Sequence, residues 1–142
     1  MNARHWLPFT GRLLIGLPFM YSGLGKVMGY SGTIAFIESS TLPLPPPLAY
    51  VGAVAVELGC GLLVILGYQT RIAAGIFTLF CFATAIFFHA HFNDPNQTFH
   101  FIKNLVMAGG LIQLVVYGAG PVSIDNRLSE RRLAAAPEPF AG

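Results

Sequence analysis

Four ionisable side chains stand inside otherwise apolar stretches: Arg12, Lys26, Glu57 and Lys103. A charge in hydrocarbon is costly, so such residues in a membrane chain face one another or a polar cavity and mark functional sites. Glu57 is the acid of the set. A carboxylate alone near mid-membrane does not stay charged, whereas a lysine reaching inward would keep it ionised. Lys26 and Lys103 are the two candidates for that partner. His89, His100 and Asn104 add two imidazoles and an amide in the same apolar surroundings. Together these groups suit a headgroup with carbonyl or hydroxyl oxygens, or a proton relay. The plainer alternative is a buried ion pair that only fixes helix register. Arg12 reads as a cation snorkelling to the nearer interface.

Other chemistries find less support. His89, His91, Asp94 and His100 could ligate a metal, but His89 and His91 do not share a helix face and no recognised ligand spacing joins the group; no metal is expected. Cys60 and Cys81 fall in apolar runs, form no CxxC pair and read as packing residues. The sequence has no nucleotide loop, nucleophile elbow or haem-attachment motif. A net charge of +2 without a basic cluster argues against nucleic acid as a partner.

The elements that must position these residues are membrane helices. The chain is 54% hydrophobic and 10% charged, against roughly 25% charged in soluble domains. Four stretches, roughly residues 7–28, 48–66, 72–90 and 99–118, reach the length of about 20 residues that a span requires. Pro18 should kink the first. The expected fold is therefore all-α: an integral membrane four-helix bundle, with a short interfacial helix near 33–38 between spans one and two. The run Leu42 to Pro47 should set up span two rigidly. Residues 1–125 form the membrane domain, and 126–142 form a cytoplasmic polar tail that is Ala- and Pro-rich from Ala134. Gly25, Gly29, Gly59, Gly61, Ala108, Gly109 and Gly110 read as close-packing positions between helices.

Orientation follows from Arg4, Arg71, Arg127, Arg131 and Arg132, which all fall on one side of a four-span chain. The other two connections contain no Lys or Arg, so both termini are expected in the cytoplasm, at a cell (inner) membrane. The first stretch, interrupted by Arg12 and Lys26 and lacking a small-x-small site, reads as a retained span and not as a cleaved signal. On this topology Glu57 lies about 13 Å below Leu48, near the midplane. Lys26, His89, His100, Lys103 and Asn104 then occupy the outer half with it.

The order of short motifs along the chain resembles the DoxX family of small membrane proteins. They are Arg12-Leu13-Leu14-Ile15-Gly16, Tyr21-Ser22-Gly23-Leu24-Gly25-Lys26, Glu57-Leu58-Gly59-Cys60-Gly61, Arg71-Ile72-Ala73-Ala74, Lys103-Asn104-Leu105 and Gly118 to Asp125. The resemblance implies a link to quinone and to redox chemistry, with an electron donor supplied by a partner redox subunit. On that reading the chain is a quinone-linked oxidoreductase subunit: Glu57 and Lys26 are catalytic and manage protons, and Lys103, Asn104, His89 and Tyr21 bind substrate. Quinone is the implied cofactor, and the bilayer, a redox subunit or a homo-oligomer are the implied partners. The second class is a non-catalytic membrane subunit or small-molecule carrier in which the same charges hold the bundle together.

Overall fold

The computed structural model describes residues 3–135 and is helical throughout, with no strand among the described residues. Helix α1 (Ala3–Met28) runs unbroken across Pro8 and Pro18. It is followed by α2 (Tyr30–Glu38), the short helix expected between the first two spans. The next long helix comes in three parts: α3 (Pro46–Val54), a π turn (Ala55–Cys60) and α4 (Gly61–Leu66). Two uninterrupted helices, α5 (Thr70–His89) and α6 (Pro95–Tyr117), precede α7 (Ile124–Ala134). The tail therefore begins as a helix; its Ala/Pro-rich part from residue 136 lies outside the described residues.

Local sequence explains the boundaries. Pro46 and Pro47 open α3, where a missing N–H costs nothing and the fixed φ suits a helix start. Gly67, in the left-handed conformation at φ 67°, closes α4. The Gly67 amide donates to Val64 O at 3.2 Å and the Tyr68 amide to Leu63 O at 3.0 Å, the paired bonds of a Schellman stop. Asp94 caps α6 by accepting from the Asn96 amide, with Pro95 as first helical residue. Ser123 caps α7 in the same way.

Three helices, Pro46–Leu66, Thr70–His89 and Pro95–Tyr117, are long and apolar enough to cross a membrane. Helix α1 is as long but less apolar, because Arg12, Lys26 and two prolines dilute it. Only 17–33% of the apolar windows of the other three is buried within the chain. Side chains such as Leu14, Leu79 and Val106 point outward, and a surface this apolar is solvated by lipid and not by water.

The core is narrow and sets two phenylalanines and a leucine among small residues. Phe19, Cys60, Val64, Ala73, Ala74, Phe77, Cys81, Ala108 and Leu111 form it, with Phe19 and Phe77 rings 4.1 Å apart. Both cysteines are free and buried there. Helices α5 and α6 pack along their length, α1 packs on the π turn and α4, and α6 barely meets α1. The glycines behind these approaches differ in part from those expected. An added Cβ at Gly16 would lie 2.5 Å from Ile65 Cγ1 and 3.0 Å from Gly61 O, and one at Gly23 would lie 2.8 Å from Leu58 Cδ2. Gly25, Gly59 and Gly109 have open space instead; of the expected contact glycines, Gly61 meets α1 at Met20 Cγ (3.0 Å) and Gly110 meets it at Ile15 Cδ1 (3.4 Å).

Candidate functional site

Glu57 sits in the π turn, in the middle of the second long helix. A π turn closes a larger hydrogen-bonded ring than an α turn, so it shifts the phase between α3 and α4 and re-aims the side chains it carries. Single π turns of this kind recur at functional sites. Facing it, Ser22 and Lys26 stand one turn apart on the same side of α1. Gly23 lets the two backbones close: a Cβ there would be 3.1 Å from Glu57 Cβ.

The result is a compact three-residue cluster. Lys26 Nζ donates to Glu57 Oε1 and Oε2, each at 2.8 Å, and to Ser22 Oγ at 2.9 Å. Ser22 donates in turn to Glu57 Oε1 at 3.2 Å. The Glu57 side chain is 5% exposed and the Lys26 side chain 26%, so the acid is enclosed and the lysine is part-exposed along its length. Tyr50 Oη donates to the Lys26 carbonyl at 3.4 Å, and its ring meets Tyr30 edge-on at 4.9 Å. Ser22 was not among the expected site residues; its signal was its place one turn before Lys26.

The other expected site residues fall elsewhere. Lys103 acts on Glu57 only at a distance; its Nζ lies 3.0 Å from His100 Nδ1. Asn104 is buried and donates to His100 O at 2.9 Å. His89 contacts Gln97 Oε1 through Nδ1 at 2.7 Å and stacks on His100 at 5.1 Å. These four residues gather where α5 turns into α6. Tyr21 is not brought to either group: one residue from Ser22, it points out of the bundle with 82% of its surface exposed. Among the described residues no three His, Cys, Asp or Glu side chains converge as a metal site would require.

Arg12 is the main correction. It does not snorkel: it is fully buried. Nη1 donates to Val64 O at 3.3 Å and Ile65 O at 3.1 Å, Nη2 donates to Val122 O, and the guanidinium lies 5.5 Å over the Phe9 ring. Val64 and Ile65 belong to the last turn of α4, whose carbonyls lack partners within the helix. Beside it, Asp125 accepts from the Gln69 and Thr70 amides at 2.8 and 2.9 Å, and its own amide donates to Gly67 O at 2.8 Å. Burial alone would raise the Asp125 carboxyl; the Thr70 and Gln69 bonds, with Arg12 nearby, outweigh it and hold the group below the usual carboxylate range. A shallow cleft of about 650 Å³ opens at this end, between Thr70, Arg71, Tyr117, Gly118 and Asp125, remote from the Glu57 cluster. Both Asp125 oxygens are already engaged with the α5 amides, so the groups here serve to tie the fold together.

Comparison with known proteins gives consistent results. The DoxX family model matches residues 7–90. The chain is 34% identical over 123 residues to the Escherichia coli inner membrane protein YqjF, covering 86% of this chain and 92% of the relative. It is 33% identical over 131 residues to the Escherichia coli inner membrane protein YphA, covering 88% and 92%. Over 68 residues, 48% of each chain, it is 44% identical to a Bacillus subtilis protein named "Putative oxidoreductase CatD". No solved structure matches.

Proposed function

We propose that this chain, which belongs to the DoxX family, is an inner-membrane subunit whose Ser22–Lys26–Glu57 cluster exchanges protons with a carbonyl-bearing lipophilic substrate of the quinone type. One observation carries the reading: a carboxylate on a π turn and an ammonium from α1 are held 2.8 Å apart inside an apolar bundle, with the lysine side chain a quarter exposed. Intramembrane ionisable pairs of this kind mark proton and substrate sites. A carbonyl oxygen approaching the exposed side of Lys26 would take one of its three N–H bonds. Release of Ser22 leaves both carboxylate contacts in place, so the ammonium can donate one proton to the carbonyl oxygen; Glu57, a carboxylate in this pair, has none of its own to give, and it would relay a proton taken up from solvent back to the amine. A quinone at this position would accept electrons from a partner redox subunit. The name of the CatD relative points the same way.

In this reading α1, the α3–α4 helix, α5 and α6 all cross the bilayer. Both termini lie in the cytoplasm, and the cluster opens toward the outer half. A second reading has its own support: all three Lys26 protons already have acceptors within the chain, as a purely structural ion pair would have.

The test is a mutant cycle on the purified protein in lipid nanodiscs, with Glu57→Gln, Lys26→Met and the double variant. Folded yield and saturable binding of a short-chain benzoquinone or naphthoquinone are both scored. Each single change should lower folded yield, because it strands a polar partner, and the double change should restore it. Quinone binding should remain lost in the double variant. Its recovery together with folding would make the pair structural, and absence of any coupling between the two residues would remove the site.

A further inference from the structure

Lys103 is a cation with no anion paired to it among the described residues. It stands in the third turn of α6, is exposed, and makes no ion pair among the described residues. Its Cα lies about 12 Å along the axis from the first residue of α6, and a charge left alone at that level is costly. The side chain turns back toward the helix start to place Nζ 3.0 Å from His100 Nδ1.

That contact fixes the chemistry of the pair. An ammonium can only donate, so Nδ1 accepts and the His100 ring proton resides on Nε2. The ring is held in place: His89 stacks on it at 5.1 Å and 26°, and Gln97 anchors His89 at 2.7 Å. Asn104 secures the His100 carbonyl. What remains available is two ammonium protons and one imidazole N–H, with no acceptor among them, and donors of this kind with a net positive charge receive anions. Asp94, the acid of the adjoining loop, is engaged in capping α6 at the Asn96 amide. Around Lys103 the same helix presents exposed Phe99, Ile102 and Val106, an apolar strip one to two turns long.

We propose that Lys103 and His100 form a binding site for the phosphate of an anionic phospholipid, whose acyl chains lie along Phe99, Ile102 and Val106. The site does not depend on what the Glu57 cluster does, since Lys26 already neutralises that acid.

The test uses the full-length protein in detergent, with phosphatidylglycerol, phosphatidylcholine or inorganic phosphate added, read by native mass spectrometry and thermal unfolding. Phosphatidylglycerol should be retained preferentially and should raise the unfolding temperature more than phosphatidylcholine. Lys103→Met should weaken that retention about fivefold, the effect of one lysine at an anionic surface, and Lys103→Arg should preserve it. His100→Phe keeps the aromatic stack but removes both nitrogens; it should also weaken retention, and it serves if Lys103→Met does not fold. Equal retention of the two lipids, or unchanged retention in a folded Lys103→Met or His100→Phe protein, overturns the proposal. Protection by inorganic phosphate alone, with displacement of the lipid, would assign the site to free phosphate and overturn it equally. The Glu57–Lys26 coupling should be the same in Lys103→Met as in the parent, which keeps the outcomes of the two tests apart.

Discussion

Replacing Arg12 tests whether a buried guanidinium closes the end of the bundle opposite the α5–α6 turn. Ile65 O and Val122 O have no hydrogen-bond partner other than Arg12 among the described residues, whereas Val64 O also accepts from the Gly67 amide. Arg12→Met therefore strands two carbonyls, at about 1–3 kcal/mol each. Against this, Arg12 Nε is itself buried without a partner, and its removal returns about 1–3 kcal/mol. The net loss is on the order of 2 kcal/mol, with methionine filling much of the space. Arg12→Lys keeps the charge but offers one nitrogen where the fork offered two, so it holds the α4 carbonyls or Val122 but not both. By the same count it strands one carbonyl and sheds the unpartnered Nε, so its net loss is close to zero. Reversible unfolding of the purified protein in mixed micelles, followed by circular dichroism, should place Lys near the parent and Met below both. An Arg12→Met protein as stable as the parent would refute the clasp and return Arg12 to a simple interfacial cation.

Gly23→Ala should cost about 1–3 kcal/mol by forcing α1 away from the π turn, while Gly59→Ala, with open space around it, should change unfolding little; equal effects at the two positions would contradict the packing described. Asp125 has a depressed carboxyl, so its contribution is fully present above the unfolded value of about 3.9 and is lost as pH falls through the lower folded value. An acid unfolding titration of Asp125→Asn should therefore differ from the parent at neutral pH and converge with it only at strongly acid pH. Cysteines placed at Ser40 and Asn96 should be labelled from outside the cell and one at Ser129 only after permeabilisation; external labelling at Ser129 would exclude both termini being cytoplasmic.

Apolar length, proline placement and charge position made most of the architecture legible. The start of the second long helix follows from Pro45-Pro46-Pro47, and the interfacial helix from the apolar run after Gly29. Charge scarcity pointed to Glu57 and Lys26 because hydrocarbon makes any unpaired charge conspicuous. Nothing in a one-dimensional pattern announces a π turn, which shows only in the hydrogen-bond register of the folded helix. Gly61, Ala108 and Gly110 pack as expected while Gly25, Gly59 and Gly109 do not, because the spacing of small residues says they can approach something, but not which face meets a helix and which meets lipid. Arg12 looked like a snorkelling residue because its acceptors are main-chain carbonyls, which no side-chain pattern reveals. The helix after Ser123 was legible in its cap but was obscured by the low-complexity sequence beyond it.

The acceptors of Arg12 are also late in the chain. Val64 and Ile65 follow it by 52 and 53 residues, and Val122 by 110. Helix α1, made before the other three long helices, is less apolar than they are, and it carries a guanidinium whose partners are not yet made. Its partners emerge only after the second long helix, and the clasp is completed only after the fourth. Helix α1 therefore cannot satisfy Arg12 by itself during synthesis. Two of the acceptors come with the turn at Gly67, and the clasp is complete only when the segment after Gly118 meets it. Assembly is then reported by the last contact made, and a chain truncated before Val122 should be recognised and cleared as unfinished.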